Sequence, residues 1–275
     1  MTKRLDTALQ RMRGARRTGV LPYVTVGFPT SVEDTLAIVP AIEAAGAVAV
    51  ELGVPYSDPL GDGPTIQAAS YRAVQAGVDT RACIEVVVRL REAGVKLPLI
   101  FMGYYNPILS YGIDAYARDC AAAGVDGMIV VDLPQEESGA MRGALESHEL
   151  ALIALLAPTS SDERIELGTR GAKGFVYCVS ITGVTGARNE LSKDLPSFVA
   201  RVRARTDLPI AVGFGVSERR HVEAIGKYAD AAAVGSALID VIDSAPPSER
   251  AAWAGAFVAA LAGASRQPPT RSDAL

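Results

Sequence analysis

The segment AAAGVDGMIVVDL (121–133) has the pattern of a helix that ends at a glycine and is followed at once by a buried strand. A glycine just past the last turn, here Gly124, accepts the left-handed conformation that ends a helix. The run GMIVV (127–131) that follows is continuously apolar, which is typical of a parallel strand covered on both faces. The segments AAGAVAV (44–50) and RGAKGFVY (170–177) repeat the pattern, so the chain is expected to alternate helices with parallel strands.

Eight short apolar runs of this kind are separated by segments of helix length. They are VLPYVTVG (20–27), AVAVEL (47–52), PLIFMG (98–103), GMIVVDL (127–133), LALIALLA (150–157), GFVYCVS (174–180), PIAVGF (209–214) and AAAVGS (231–236). Eight β-α units of this size predict an α/β fold of the (β/α)8 barrel (TIM barrel) type. The alternative is an open doubly wound sheet, which would need fewer strands.

The chain is expected to carry more helices than such a barrel needs. At its start, Leu5, Leu9 and Met12 fall on one face of an extra amphipathic helix. The connection between the second and third strands (53–97) is long for one crossover, and a helical region follows the eighth strand. These additional helices are predicted at about 65–77, at about 80–93 and within 237–263.

Length and composition are consistent with one large core. The chain has 275 residues, of which 49% are hydrophobic, and single barrels often have about this length. We expect one barrel domain over residues 1–264 and a disordered tail over residues 265–275. The net charge of -4 argues against a nucleic-acid-binding protein. No apolar run reaches the roughly 18 residues that a membrane span needs, and the start lacks the apolar core of a signal peptide.

Cysteines and histidines show no metal-binding or catalytic pattern. Cys83, Cys120 and Cys178 are far apart and odd in number, which argues against a disulfide framework or a zinc site. His148 and His221 stand in charged helical contexts and are interpreted as surface residues. We therefore expect no metal site and a location in the reducing cytoplasm.

The stretch ELGVPYSDPLGDGPTIQ (51–67) places acids where the chemistry of a barrel belongs, at the C-terminal ends of the strands. Glu51 ends an apolar strand, and burial of its charge is costly, so a raised pKa suited to proton transfer is expected. Asp62, on a glycine-rich loop, is expected to stay ionised and to orient a donor or stabilise a cation. The alternative is that Glu51 pairs with a buried arginine and Asp62 caps the following helix.

Glycines after the last three strands form a second group. They occur in GVTGA (183–187), GFG (213–215) and GS (235–236). Backbone N–H groups approach an anion closely where side chains are absent, and a helix that begins near Ser236 adds a favourable dipole. Barrels of this type commonly hold a phosphate at this place.

Three tyrosines form a third group. Tyr23 lies on the first strand, Tyr104 just past the third, and Tyr177 on the sixth. They could line a pocket for a flat ring. The alternative is that they belong to the barrel core.

These motifs occur together in a known family. ELGVPYSDPLGDGPTIQ stands in order with YVTVGFP, MGYYNP, GVDGMIVVDLP, EES, GVTGA, GFGV and GSA, between about Leu21 and Ser236. In this combination the sequence resembles the tryptophan synthase alpha chain family. The stretch 51–67 is highly specific by itself.

The resemblance implies an enzyme that cleaves indole-3-glycerol phosphate reversibly to indole and glyceraldehyde 3-phosphate, a retro-aldol reaction. It assigns the catalytic acids to Glu51 and Asp62, and the active-site tyrosine to Tyr177. The residues that it assigns to the phosphate site are Gly186, Gly215, Gly235 and Ser236, with Gly213 and Phe214 adjacent.

The resemblance also implies a partner. Members of the family work with a beta chain in an α2β2 heterotetramer, and the beta chain carries pyridoxal phosphate and receives indole through a tunnel. The alpha chain is expected to have no cofactor of its own. Ile181 stands where some relatives carry a basic residue, in a loop expected to fold over the substrate. The residues expected to face the partner are Pro55, Asp58, Pro59, Asn106 and Pro134.

Two other functions stay open from the sequence. One is a stand-alone indole-3-glycerol-phosphate lyase that releases free indole, and high turnover without a beta chain would favour it. The other is a catalytically silent, phosphate-binding regulatory subunit, and substrate binding without turnover would favour it.

Overall fold

The computed structural model describes residues 3–15, 17–179, 194–213 and 215–263. Within these ranges nine strands run parallel in one sheet. They are β1 (Gly19–Thr25), β2 (Val50–Gly53), β3 (Leu99–Gly103), β4 (Gly127–Val130), β5 (Ala151–Leu152), β6 (Ala154–Leu156), β7 (Val176–Val179), β8 (Ile210–Gly213) and β9 (Ala231–Val234). The expected tail lies outside the described residues, and the expected domain boundary stays a prediction.

The sheet closes into a barrel through the fifth predicted run, 150–157, which forms both β5 and β6. The strand order is β5-β4-β3-β2-β1-β9-β8-β7-β6, so β5 and β6 stand at opposite ends although only Ile153 separates them in the chain. β5 pairs with β4, and β6 pairs with β7. The run 150–157 is therefore one extended segment that changes its partner half-way. This confirms the predicted (β/α)8 barrel and excludes the open sheet.

The helices alternate with the strands, as the glycine-ended pattern predicts. Gly124, at the end of one helix, has φ +96° in the left-handed region. The helices are α1 (Lys3–Gly14), α2 (Val32–Ala44), α3 (Pro64–Gln75), α4 (Thr80–Glu92), α5 (Tyr105–Tyr111), α6 (Ile113–Ala123), α7 (Gly139–Ser147), α8 (Asp162–Thr169), α9 (Leu195–Arg203), α10 (Arg219–Ile225), α11 (Ser236–Ser244) and α12 (Arg250–Ala262), with short 3-10 helices at Gln135–Glu137 and Pro247–Glu249. Within the described residues no helix combines the length and the apolar character that a membrane crossing requires.

The predicted additional helices are all present. The connection from β2 to β3 holds α3 and α4, and the region after β9 holds α11 and α12. The connection from β3 to β4 also holds two helices, α5 and α6, and the short α5 was not predicted. Its position just past β3 matters for the site, because it begins directly after Tyr104.

The extra N-terminal helix, α1, closes one end of the barrel. Leu5, Leu9 and Met12 are buried in the barrel interior, on the face that the sequence predicts. Arg4 bonds to Asp126 immediately before β4, which places α1 across the N-terminal ends of the strands. The opposite end, where the strands point, is left for the loops that carry the proposed chemistry.

Candidate active site

Glu51 lies on β2 with its carboxyl group inside the barrel. In the sheet, Glu51 pairs with Tyr23 on β1 and with Ile100 on β3. Glu51 is 1% exposed. Its Oε1 atom has no hydrogen-bond partner among the described residues. Burial raises the pKa of Glu51 well above its ordinary value, in the direction that the sequence predicts. The alternative of a buried arginine partner is not found within the described part of the chain.

Asp62 lies in the loop between β2 and α3, and a tyrosine holds its carboxylate. The Tyr104 hydroxyl donates a hydrogen bond to Asp62 Oδ2 (3.0 Å) and accepts one from the Gly61 N–H (2.9 Å). Burial raises the pKa of Asp62 to about 6, although the Tyr104 bond acts to lower it. Asp62 is therefore still largely ionised at pH 7, but by a smaller margin than a solvated loop residue would have. The residue at the cap of α3 is Gly63, so Asp62 is not the helix cap.

Gln67, the last residue of the quoted stretch, braces this loop. Its side-chain amide donates to the backbone oxygens of Asp62 (2.9 Å) and Pro59 (3.3 Å). The Asp62 N–H in turn donates to the Pro59 oxygen (3.1 Å). The sequence analysis did not single out Gln67, although its place at the start of a helix after a tight turn was visible.

Tyr23 and Tyr177 lie beside the two acids, and glycines on neighbouring strands make room for them. A Cβ atom at Gly53 would lie 2.0 Å from the Tyr23 hydroxyl, and one at Gly213 would lie 2.3 Å from the Tyr177 hydroxyl. Burial, and then the charge of Glu51, raises the pKa of Tyr177 well above its ordinary value. Both rings therefore lie in the barrel interior and border the acids, and their role in lining a pocket for a flat ring stays a prediction.

Tyr104 lies just past β3, where the sequence predicts it. Its hydroxyl donates to Asp62 and accepts from the Gly61 N–H. Its ring stacks on Tyr56, with ring centroids 5.2 Å apart and planes inclined by 30°. These contacts make it a support for Asp62, and its role in binding a substrate ring stays a prediction.

Four of the six expected phosphate residues lie where β8 and β9 end. Gly213 ends β8 and Gly215 comes two positions later with φ +38°, whereas Gly235 follows β9 and Ser236 begins α11. The N–H groups of Ser236 and its successor have no hydrogen-bond partner among the described residues, which leaves them free for an anion. Gly186, Phe214 and Ile181 lie outside the described residues.

The expected partner-facing residues divide into two groups. Asp58, Asn106 and Pro134 are exposed and Pro59 is half-buried, as a contact surface requires, whereas Pro55 is buried. The expectation that Pro55 lies on the surface was therefore wrong. It directly follows Val54, whose N–H bonds to the Met102 oxygen, so the chain still runs beside β3 at this point.

An exposed leucine was missed in the sequence. Leu60, in the same loop as Asp58 and Asp62, is 90% exposed. Large apolar side chains are costly to leave in water, and one among polar neighbours in a functional loop suggests a contact. The sequence signal for this exposure was the position of Leu60 between Pro59 and Gly61, because turn residues lie at the surface and an apolar residue between them is exposed as well.

The comparison with known proteins assigns the family. The family model described as "Tryptophan synthase alpha chain" matches residues 9–262. The chain belongs to the tryptophan synthase alpha chain family. A tryptophan synthase alpha chain from Roseiflexus sp. (strain RS-1) is 51% identical over 260 residues, which cover 94% of this chain and 99% of the relative.

Two other relatives extend the comparison of this alpha chain family member. A structure of Mycobacterium tuberculosis tryptophan synthase superposes with a TM-score of 0.87 at 39% identity, covering 97% of this chain and 99% of the other. A protein of Saccharomyces cerevisiae named tryptophan synthase is 41% identical over 251 residues, which are 91% of this chain but 35% of the yeast chain. The yeast protein therefore carries the alpha-chain-like segment within a longer chain.

Proposed function

We propose that this chain is the alpha subunit of tryptophan synthase and acts as a carbon–carbon lyase. It cleaves indole-3-glycerol phosphate to indole and glyceraldehyde 3-phosphate. The observation that carries the proposal is the buried Glu51 carboxyl, which lacks a partner at Oε1 among the described residues and shares Tyr23 and Tyr177 as neighbours with Asp62 in a member of this family. An unpaired buried acid is costly for a fold and is typical of a proton-transfer site.

Glu51 is proposed to move the two protons that the cleavage requires. Indole is a poor leaving group until its C3 atom is protonated, and the side-chain hydroxyl must lose its proton as the aldehyde forms. When the bond from C3 to the carbinol carbon breaks, its electrons return to the ring and neutralise the positive nitrogen. Burial raises the pKa of Glu51 and so favours its protonated form, which can give a proton to C3 and then take one from the hydroxyl.

Asp62 is proposed to accept the indole N–H and to stabilise the positive charge that develops on this nitrogen. A carboxylate that remains ionised at pH 7 suits this role, and one already held in place needs no reorganisation during the reaction. The phosphate group is proposed to bind at Gly213, Gly215, Gly235 and Ser236, which supplies binding energy remote from the breaking bond. Tyr23 and Tyr177 are proposed to border the indole ring.

The proposed partner is a beta chain in an α2β2 heterotetramer in the cytoplasm. The beta chain is proposed to carry pyridoxal phosphate and to condense indole with serine, whereas the alpha chain uses no cofactor of its own. The exposed Leu60, Asp58 and Asn106 offer a mixed polar and apolar surface beside the catalytic loop. The longer yeast tryptophan synthase supports the proposal, because an alpha-like segment there is joined to further sequence.

The test is indole release from indole-3-glycerol phosphate by the purified chain, without and then with a cognate beta chain. The proposal expects slow turnover alone and a large rise with the partner. Fast turnover alone would instead establish a stand-alone lyase. Substrate binding without turnover under both conditions would point to the regulatory subunit. The Glu51→Gln variant, measured in parallel, separates turnover by this site from contaminating activity.

A further inference from the structure

The Asp62 carboxylate is held on one side and open on the other. Oδ2 accepts the Tyr104 hydroxyl at 3.0 Å, whereas Oδ1 accepts no hydrogen bond from the residues that the structure describes. The Tyr104 hydroxyl is already engaged on both sides, since its oxygen also accepts the Gly61 N–H at 2.9 Å. Oδ1 is therefore the Asp62 oxygen left for a donor on a bound ring.

The Tyr104 ring is fixed by contacts that are independent of the acid. It is buried, and Tyr56 stacks on it with 5.2 Å between the ring centroids. Tyr56 is anchored through its backbone, because the Ser70 hydroxyl accepts the Tyr56 N–H and donates to the Tyr56 oxygen, both at 2.9 Å. The hydroxyl that meets Asp62 thus projects from an immobilised ring.

Gly61 permits the close approach between this loop and the tyrosine. A Cβ atom at Gly61 would lie 2.7 Å from Val131 Cγ1 and 3.2 Å from the Tyr104 hydroxyl oxygen. Any other residue at this position would push the loop away from the strands. The contact is therefore specified by Gly61, Asp62 and Tyr104 together.

We propose that Tyr104 is a positioning residue that orients Asp62, fixing Oδ2 so that Oδ1 faces the N–H of the substrate ring. This inference rests on the proposed lyase function. Tyr104 acts through Asp62 and donates nothing to the substrate. The arrangement also favours the ionised carboxylate, because a hydrogen bond donated to a carboxylate stabilises its charge.

Among the described residues, the titratable groups that interact with Asp62 are phenolic. The charge of Asp62 acts on Tyr23 on β1, Tyr177 on β7 and Tyr104 past β3, and Glu51 on β2 acts on Tyr23 and Tyr177 as well. No cation acts on Asp62 within the described part of the chain. The Tyr104 hydroxyl is thus the group that opposes the effect of burial on the Asp62 pKa.

The test is the Tyr104→Phe variant, which keeps the ring and its stacking and removes the hydroxyl. With a cognate beta chain, kcat should fall about 10-fold while KM changes less than threefold, because orientation matters most in the transition state. The acid limb of the kcat/KM profile should move to higher pH by roughly 0.5–1 unit, the shift expected for loss of one hydrogen bond to a carboxylate. Tyr56→Phe removes the other hydroxyl of the stacked pair, which meets Asn106 Nδ2 at 3.5 Å and not Asp62, and should leave the acid limb unchanged.

A double-mutant cycle with Asp62→Asn separates positioning from general damage. In the Asp62→Asn background, Tyr104→Phe should cost less than twofold in kcat. An equal loss in both backgrounds would overturn the proposal, as would a large rise in KM without a pH shift, which would make Tyr104 a substrate-ring contact.

A measurement without substrate keeps this proposal distinct from the proposed function. Carbon-13 NMR of labelled aspartate carboxyls, with the Asp62 signal identified by its loss in Asp62→Asn, gives the Asp62 pKa directly. The pKa should be higher in Tyr104→Phe than in wild type, and an unchanged titration would overturn the proposal. A wild-type chain without lyase activity would contradict the proposed function, and the NMR titration would still decide the role of Tyr104.

Discussion

Two fully buried acids at opposite ends of the barrel have opposite surroundings. Asp126, just before β4, accepts hydrogen bonds from Arg91 Nη2 (2.7 Å), Arg4 Nε (3.0 Å) and the Leu99 N–H (2.9 Å). Glu51, at the other end, has no partner at Oε1 among the described residues. A buried charge must be paired or neutralised. At the N-terminal end the charge is paired, although burial still raises the pKa of Asp126, and at the C-terminal end burial without a partner favours the protonated acid.

A second acid repeats the arrangement at the N-terminal end. Asp230, just before β9, accepts hydrogen bonds from Arg13 Nε (3.1 Å), from Arg203 and from the Ile210 N–H (2.8 Å). Burial would raise its pKa, but the bonds from Arg13, Ile210 and Arg203 outweigh burial and lower it. The N-terminal end therefore uses its acids to hold α1 and the strand starts together. The C-terminal end keeps an acid in an unfavourable state, as expected where activity conflicts with stability.

The largest effect is expected for Glu51→Gln. It removes the proposed proton carrier and keeps the shape of the side chain, so kcat should fall about 100- to 10,000-fold. Substrate affinity should stay within about tenfold, because the acid acts on protons in the transition state. Indole release and substrate titration measure the two quantities. Near-normal turnover by the variant would reject Glu51 as the proton carrier.

The same variant should be more stable than the wild type above about pH 4.5. Glu51 has a folded-state pKa above its ordinary value of 4.5, so the folded chain holds this proton more tightly than the unfolded chain. As pH rises through the unfolded pKa, the unfolded chain releases the proton first and the wild type loses stability. Denaturant unfolding between pH 4 and pH 8 should show a gain for Glu51→Gln that grows with pH. A gain that shrinks with pH would contradict the buried, unpaired state.

Asp126→Ala should show the reverse behaviour at the N-terminal end. It leaves Arg91, whose side chain is 15% exposed, as a buried cation without its carboxylate. The free energy of unfolding should fall by about 3–5 kcal/mol, the usual cost of removing one partner of a buried pair. The folded fraction should keep its kcat.

Arg4→Ala is the matched control for that prediction. The Arg4 side chain is 46% exposed, so its pair with Asp126 is screened and its removal should cost about 1 kcal/mol or less. Equal losses for Asp126→Ala and Arg4→Ala in denaturant unfolding would show that burial does not set the strength of this cluster.

The contrast between the two ends explains what the sequence could predict. The position and burial of Glu51 follow from a charged residue at the end of an apolar run, a local pattern. The eight strands follow in the same way, and so does the place of the glycines after the last strands. The change of partner at Ile153 could not be predicted, because closure of a barrel depends on the stagger of all its strands.

Contacts between distant loops could not be predicted. Tyr104 and Asp62 are 42 positions apart, and their hydrogen bond depends on the path of two loops that no local pattern specifies. Pro55 was misplaced for a related reason, because the residues after Glu51 continue beside β3 before the loop turns outward. The charge of Asp62 was predicted from its glycine neighbours, but partial burial in the folded loop raises its pKa to about 6.

Gly235→Asp should add a second unpaired acid, besides Glu51, at the C-terminal end of the barrel. A Cβ atom there meets only the Ile66 side-chain end at 3.3 Å and Tyr23 Cβ at 3.8 Å, so the fold should survive. The new carboxylate would repel the substrate phosphate, and KM should rise about 10- to 100-fold. Gly235→Asn has nearly the same size without the charge and should raise KM less. An equal rise in both variants would assign the effect to bulk and would remove the support for a phosphate at this position.

The smallest effect is expected for Arg13→Ala. Asp230 keeps its bonds from Arg203 and the Ile210 N–H, and Arg13 is 37% exposed, so the loss should be about 0.5–1 kcal/mol. The folded-state pKa of Asp230 lies below its ordinary value of 3.8, so its contribution to stability is present above that pH and is lost as pH falls through the folded pKa. The difference between wild type and variant should therefore be largest near neutral pH and shrink in acid to the part due to the Arg13 bond with the Asp207 oxygen (2.6 Å), a trend opposite in sign to that for Glu51. Arg11 is an exposed arginine on the same helix and has no ion pair within the described residues, so Arg11→Ala should show no such trend. The same trend in both variants would mean that general charge repulsion produces it.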